Sequence, residues 1–160
     1  MIVRDAVPQD AAALAEIYNE IVRNSMITFT TTEKSAADWE AVIDAGGCLL
    51  VLVDTTETPC GYARLGGFRS GPGYAHVAEH SIYIAAGTQG RGLGRMLFSA
   101  LEERAQELGL EILVAGISGT NDVAQRFHRR CGFTEVGRMP GVGQKWGRSL
   151  DLVLMQKSLV

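Results

Sequence analysis

Apolar residues recur along this chain with two different periods, and the changes of period divide it into elements. Ile2 to Ala6 reads as a short strand stopped by Val7-Pro8. Pro8 suits the first turn of a helix, and Leu14, Ile17, Tyr18, Ile21 and Val22 give that helix an apolar stripe to about Asn24. The Thr-rich stretch Ser25 to Lys34 has no helical period, which predicts a loop or irregular extended piece carrying Phe29. Ser35 with Asp38 is a capping signal for a second helix, with Trp39, Val42 and Ile43 inward and Gly46-Gly47 ending it. Cys48 to Asp54 is a continuous apolar run, the mark of a central strand. A turn over Thr55 to Pro59 leads into a strand from Cys60 to Gly67, and the glycines and proline between Arg69 and Tyr74 predict a loop.

The stretch from Glu79 to Leu108 carries strand, glycine loop and helix in succession. Ile82, Tyr83 and Ile84 are strand formers, and the run Gly87-Thr88-Gln89-Gly90-Arg91-Gly92-Leu93-Gly94 breaks the strand with four glycines. Leu93, Leu97, Ala100, Leu101, Ala105 and Leu108 then step by three and four, so one helix face packs inward while Glu102, Glu103 and Gln106 meet water. Gly109 ends this helix, and Ile112 to Ile117 is another buried strand. Asn121 opens a helix to about Arg130, stopped by Gly132. Phe133 to Met139 and Leu150 to Leu159 read as two last strands around a glycine-rich loop, Pro140 to Gly147. The order βααβββαβαββ, without linker or repeat, predicts a mixed α/β fold in a single domain spanning residues 1–160.

A helix that starts inside a glycine loop offers unpaired N–H groups and a partial positive charge, and glycines let an anion approach that backbone closely. Arg91 and Arg95 add full charges, so a diphosphate is the natural guest. Gly94 is followed by Arg95-Met96 where a P-loop needs Lys-Ser/Thr. A dinucleotide fingerprint starting at Gly92 needs glycine or alanine at Leu97, and its acidic residue belongs at the end of the next strand, whereas Glu111 begins it. Neither motif fits, and a plain strand-to-helix turn stays open at this point.

Composition narrows the remaining classes. The chain has 160 residues with 46% hydrophobic and 21% charged, enough for a real core, and its net charge of −3 gives no basic footprint for nucleic acid or anionic membrane. Cys48, Cys60 and Cys131 form no C-x-x-C or zinc spacing, so buried thiols are expected and no metal site. No apolar run nears the length of a membrane span and no signal-peptide pattern opens the chain, so a cytoplasmic protein is expected.

The spacing Gln89-x-x-Gly92-x-Gly94 resembles the acetyl-CoA pyrophosphate loop of the GCN5-related N-acetyltransferases. Asn121-x-x-Ala124-x-x-x-His128-x-x-x-Gly132-Phe133 resembles that family's second segment, in which a tyrosine usually stands where His128 stands here. A narrower likeness covers almost the whole chain. Ile17-Tyr18-Asn19-Glu20, Glu79-His80-Ser81-Ile82-Tyr83-Ile84, Phe127 to Phe133 and Gly137 to Arg148 are similar to the phosphinothricin and methionine sulfoximine acetyltransferase group. Ser149, in place of a bulky aromatic, and the Ser70-Gly71-Pro72-Gly73 loop depart from that group and put the shape of the pocket in question.

The resemblance implies a fold whose central parallel strands splay, with acetyl-CoA lying in the gap. It implies that backbone groups of Ile82, Tyr83 and Ile84 and the Asn121 side chain meet the pantetheine arm. Gln89, Gly90, Arg91, Gly92, Leu93, Gly94 and Arg95 would hold the pyrophosphate. Glu79 is then the expected base that takes a proton from the amine, and His128 the acid that protonates the departing thiolate. Phe29, Arg69, Ser70, Gly71, Glu79 and His80 are expected around the acceptor, with Arg69 holding a carboxylate or phosphinate. His80, next to Glu79, points to the opposite strand face. The group is typically homodimeric, so Phe29 and the Lys145-Trp146 loop are expected to close the pocket, across a dimer interface if one forms. Two other roles stay open at this stage: a peptide or protein N-terminal acetyltransferase, and a non-catalytic acetyl-CoA-binding sensor.

Overall fold

The computed structural model describes residues 1–160, and one seven-stranded sheet runs through it. The elements are β1 (Ile2–Asp5), α1 (Ala11–Asn24), α2 (Ala36–Asp44), β2 (Leu49–Val53), β3 (Pro59–Gly67), β4 (Val77–Ile84), α3 (Leu93–Glu107), β5 (Ile112–Ser118), α4 (Asp122–Arg130), β6 (Thr134–Lys145) and β7 (Arg148–Ser158). In space the strands run β1-β2-β3-β4-β5-β7-β6, and only β4 and β5 are parallel neighbours. A parallel pair cannot be joined by a tight turn, and here the glycine loop and α3 make the crossover.

Each face of the sheet packs against helices. Leu93, Leu97, Phe98, Leu101 and Ala105 of α3 pack with Leu50, Leu52, Ala63, Leu113 and Met155 on one face. On the other, Leu14 and Ile17 of α1 and Trp39 of α2 pack with Leu49, Val51, Val53 and Tyr62. All five residues of β2 are buried because the strand feeds both cores, which is why its sequence is a continuous apolar run. Leu97 and Leu101 are fully buried, and each stabilises the fold by about 1.5–3 kcal/mol. The capping box of α2 forms as expected, the Ser35 hydroxyl accepting from Asp38 N while Ser35 N donates to the Asp38 carboxylate.

Two expectations are corrected. The stretch Pro140 to Gly147 is not a loop: β6 runs on to Lys145, with irregular register between Met139 and Gly143. β6 is the sheet edge, where a proline costs no ladder bond and unpaired residues can bulge outward. The hairpin then turns on Trp146 and Gly147, both at positive φ. Leu108 does not join the apolar face of α3. It sits past the last helical residue and is 59% exposed.

Candidate active site

The site begins where β4 and β5 part. Their pairing covers Val77, Ala78 and Glu79 opposite Ile112, Leu113 and Val114, and then stops, although β4 continues to Ile84 and β5 to Ser118. Beyond Glu79 each strand keeps its outer neighbour, β3 or β7, and turns an unpaired backbone edge to the gap. A cavity of about 470 Å³ opens there, lined by Ser81, Ile82 and Tyr83 on one side and Ala115 to Ser118 on the other. The fold thus leaves free main-chain donors and acceptors facing an extended guest.

Past the end of β4 the chain enters the glycine loop. Gly90 and Gly92 adopt positive φ, and Gly92 is the N-cap of α3 with no side chain capping it. The N–H groups of Leu93, Gly94 and Arg95 are therefore left for an anion. Leu93 is buried in the core, so only its backbone can serve that guest. At Gly94 a Cβ would press on the Phe127 ring at 3.3 Å, so glycine lets α3 lie close to α4. Asn121 lines the cavity at its α4 end. Its Oδ1 accepts from Ala124 N at 3.0 Å as the helix cap, which leaves Nδ2 as a free donor.

Glu79 lies at the fork itself. Its Oε1 passes so close to Gly116 that a Cβ there would lie 3.0 Å away. Its neighbourhood holds no cation that pairs with it, and burial raises its pKa above the ordinary glutamate value. A carboxylate shifted in this direction is a better proton acceptor.

His80 and His128 come together, which adjacency in the sequence did not reveal. Their Nε2 atoms are 3.0 Å apart, and Phe98 and Phe133 pack on the His80 ring. His128 Nδ1 lies 2.7 Å from Ala124 O, and a carbonyl only accepts, so Nδ1 carries the proton. The neutral His128 ring therefore accepts at Nε2, and His80 Nε2 donates to it. His80 Nδ1 is buried and has no partner. Burial lowers the pKa of both rings, that of His80 to about 3 with a further push from His128. This corrects the expected acid: His128 has both nitrogens engaged and its burial disfavours the imidazolium. His80 likewise touches the cavity wall but directs its ring polar atom at His128.

The acceptor side of the cavity also differs from expectation. Phe29 is in its wall, packed so tightly on Gly143 that a Cβ there would lie 2.4 Å from the ring. Arg69, Ser70 and Gly71 are not in the lining. After β3 ends at Gly67 the chain folds back on itself, Phe68 against Tyr74 at 6.0 Å and the Arg69 guanidinium over the Tyr74 ring at 5.7 Å. Ser149 stands opposite Gln144 in the β6–β7 hairpin, so neither departure from the group's pattern touches the cavity wall. Lys145 is buried, and its Nζ donates to the carbonyls of Val22, Ser25 and Thr28, tying β6 to the segment that carries Phe29. Trp146 is half exposed and is not in the wall.

Sequence reasoning missed two cations, Lys34 and Arg64, and the aromatic wall that Tyr18, Trp39 and Tyr62 form with Tyr83, of which only Tyr83 was expected at the site, through its backbone. Successive rings of that wall are 6.0, 5.0 and 5.2 Å apart. The available signal was Arg64, a charge in the middle of a strand whose neighbours are apolar.

A family model described as acetyltransferase (GNAT) family matches residues 14–133. The chain belongs to that family. Acetyl-CoA is its co-substrate, and the free strand edges, the uncapped α3 N-terminus and the Asn121 amide fit it chemically. One relative, the L-methionine sulfoximine/L-methionine sulfone acetyltransferase of Pseudomonas paraeruginosa, is 40% identical over 98% of this chain and 94% of its own. A phosphinothricin acetyltransferase of the GNAT superfamily from Sinorhizobium meliloti, solved in complex with acetyl-CoA, superposes with a TM-score of 0.90. It is 34% identical over 98% of this chain and 87% of that one. A ribosomal-protein-alanine N-acetyltransferase structure from Brucella melitensis gives a TM-score of 0.94 and 36% identity over 99% of each chain. The GNAT chain described here is an N-acetyltransferase with the family's mixed α/β fold.

Proposed function

We propose that this enzyme moves the acetyl group of acetyl-CoA to the α-amine of a small amino-acid-like acceptor of the methionine sulfoximine, methionine sulfone or phosphinothricin type. The observation that carries the reading is Glu79, an unpaired carboxylate at the fork of β4 and β5 with a raised pKa, facing a small cavity walled by aromatic rings and two cations. The amine attacks the thioester carbonyl, the C–N bond forms as the C–S bond breaks, and the amine proton leaves through Glu79, directly or by way of water. A free α-amine has a pKa near 8, so a modest base is enough. A backbone N–H of the unpaired β4 edge stabilises the developing oxyanion. With His128 engaged by His80, the leaving thiolate, of pKa about 8.5, takes its proton from the amine nitrogen or from solvent.

The Brucella likeness favours a second reading, transfer to a peptide or protein N-terminus. The enzyme works in the cytoplasm on this proposal, in keeping with its three free buried thiols. It works as a homodimer, for which the exposed Val136, Met139, Val142 and Trp146 on or beside the edge strand β6 are the supporting surface.

The test is release of CoA thiol from acetyl-CoA with methionine sulfoximine, methionine sulfone, phosphinothricin, ordinary amino acids, short peptides and a polyamine. Turnover confined to the amino-acid analogues is the expected result. Turnover on peptides alone would establish the second reading, and acetyl-CoA binding without turnover on any acceptor would leave a sensor.

A further inference from the structure

Two cations stand in the cavity wall, and neither has an anion. Lys34 is fixed by its own backbone: Asn19, buried, donates from Nδ2 to Lys34 O at 2.8 Å and accepts from Lys34 N at 2.9 Å. Its Nζ rests over the rings of Tyr18 and Trp39 at 4.9 and 5.2 Å. Glu33, the neighbour of Lys34 in sequence, pairs with Arg23, and Asp38 spends its carboxylate on Ser35 N and Oγ. Arg64 lies on β3 opposite Ser81 and on the same face as Tyr62, and no ion pair or hydrogen bond holds its guanidinium.

Lys34 and Arg64 repel one another, and burial together with Arg64 lowers the Lys34 pKa. Lys34 is half-buried and Arg64 is exposed, and an anion between them would offset the repulsion of the two like charges. Glu79 does not supply it, since no ion pair joins it to either cation.

Charge counting then discriminates between acceptors. An amino acid with a neutral side chain binds as a zwitterion and leaves the cavity one positive charge in excess, because its carboxylate answers one cation only. An acceptor with an anionic side chain brings the cavity to neutrality. A peptide N-terminus, with no carboxylate beside its amine, leaves it most positive. We propose that the cavity selects amino acids bearing a second anion on the side chain, a phosphinate or carboxylate, with Lys34 and Arg64 dividing the two anionic groups between them. This rests on the amino-acid reading above and goes further by ranking its substrates.

The experiment is the ratio of kcat/KM for phosphinothricin, with its phosphinate, to kcat/KM for methionine sulfone, whose side chain is uncharged. It is measured in the wild type and in Arg64→Gln, Lys34→Gln and the charge-keeping Arg64→Lys, with KM for acetyl-CoA as the check that the fold is intact. The wild-type ratio is expected to exceed ten. In one of the two glutamine variants the ratio falls tenfold or more, mainly through KM, which marks the cation facing the side chain. In the other both substrates weaken together, which marks the cation on the α-carboxylate. Arg64→Lys retains more of the ratio than Arg64→Gln if Arg64 faces the side chain. A wild-type ratio near one, or a ratio unmoved in both glutamine variants while methionine sulfone is still acetylated, overturns the inference alone. No turnover of any amino acid overturns the amino-acid reading and the inference with it.

Discussion

Acidification should weaken this fold through its buried histidine pair, and the share that His80 contributes follows from its surroundings. His80 is 6% exposed, packed by Phe98 and Phe133, and its pKa is depressed from 6.5 to about 3, first by burial and then by the facing His128. In the unfolded chain the ring recovers its ordinary pKa and takes a proton as the pH falls below 6.5, while in the folded protein it stays neutral. The unfolded state therefore binds more protons, so stability present above pH 6.5 is lost as the pH falls toward 3. Integrating that difference from pH 7.5 to pH 5 gives a loss of about 2 kcal/mol from His80. In a protein of this size that corresponds to a fall in Tm of about 4–8 °C.

The assay is denaturant unfolding of the wild type and of His80→Phe at the two pH values. The phenyl ring suits the aromatic surroundings and does not titrate, so carboxylate contributions common to both proteins cancel. The wild type should lose about 2 kcal/mol more than the variant. A titration of the His80 ring by NMR gives the direct check, since the folded ring should remain uncharged at pH 5. Equal losses in the two proteins, or a folded His80 that charges above pH 5, would refute the reasoning.

Three further outcomes are expected. Glu79→Gln should lower kcat by about 10²–10⁴ with acetyl-CoA binding retained, and the deficit should shrink as the pH rises and the amine deprotonates unaided. The wild-type acid limb should lie above that of an ordinary glutamate, because burial raises the Glu79 pKa, and a deficit independent of pH would remove the base role. Lys145→Met strands the carbonyls of Val22, Ser25 and Thr28, and should cost about 3 kcal/mol in unfolding experiments. Because those carbonyls anchor the Phe29 segment, acceptor KM should rise more than acetyl-CoA KM. Gly143→Ala puts a methyl group where the Phe29 ring now packs, so acceptor specificity should shift with little change for acetyl-CoA, as kcat/KM over the acceptor panel will reveal.

Much of the fold was legible because the decisive signals are local. The β2 run, the Ser35–Asp38 capping box and the three glycines before α3, Gly87, Gly90 and Gly92, each impose a backbone requirement that only certain residues meet, and each leaves its mark in sequence order. The reading failed at Pro140 to Lys145, where glycine and proline have their usual meaning in isolation but not on an edge strand. There the neighbour β7 supplies the pairing and solvent accepts the bulge, so long-range pairing overrides the local preference.

The candidate site divides along the same line. Glu79, Asn121 and the glycine loop belong to contiguous motifs; Glu79 and Asn121 line the cavity, and the loop follows β4 and leads into α3. The pairs that set its chemistry are not contiguous. His80 meets His128 across 48 positions, and that contact removes the one free imidazole the sequence offered as an acid. Lys34 faces the cavity because a buried amide on α1 fixes its backbone, and Arg64 because the β3–β4 register sets it opposite Ser81. Arg69, the more obvious candidate, lies only five residues further on but beyond the end of the strand, and stacks on Tyr74 instead. A single charged residue in a strand carries no signal of what it will face, whereas sheet register decides it outright. The substrate preference of this enzyme is therefore written in positions that no motif contains, and Arg64 is the position at which changing one charge should reorder it.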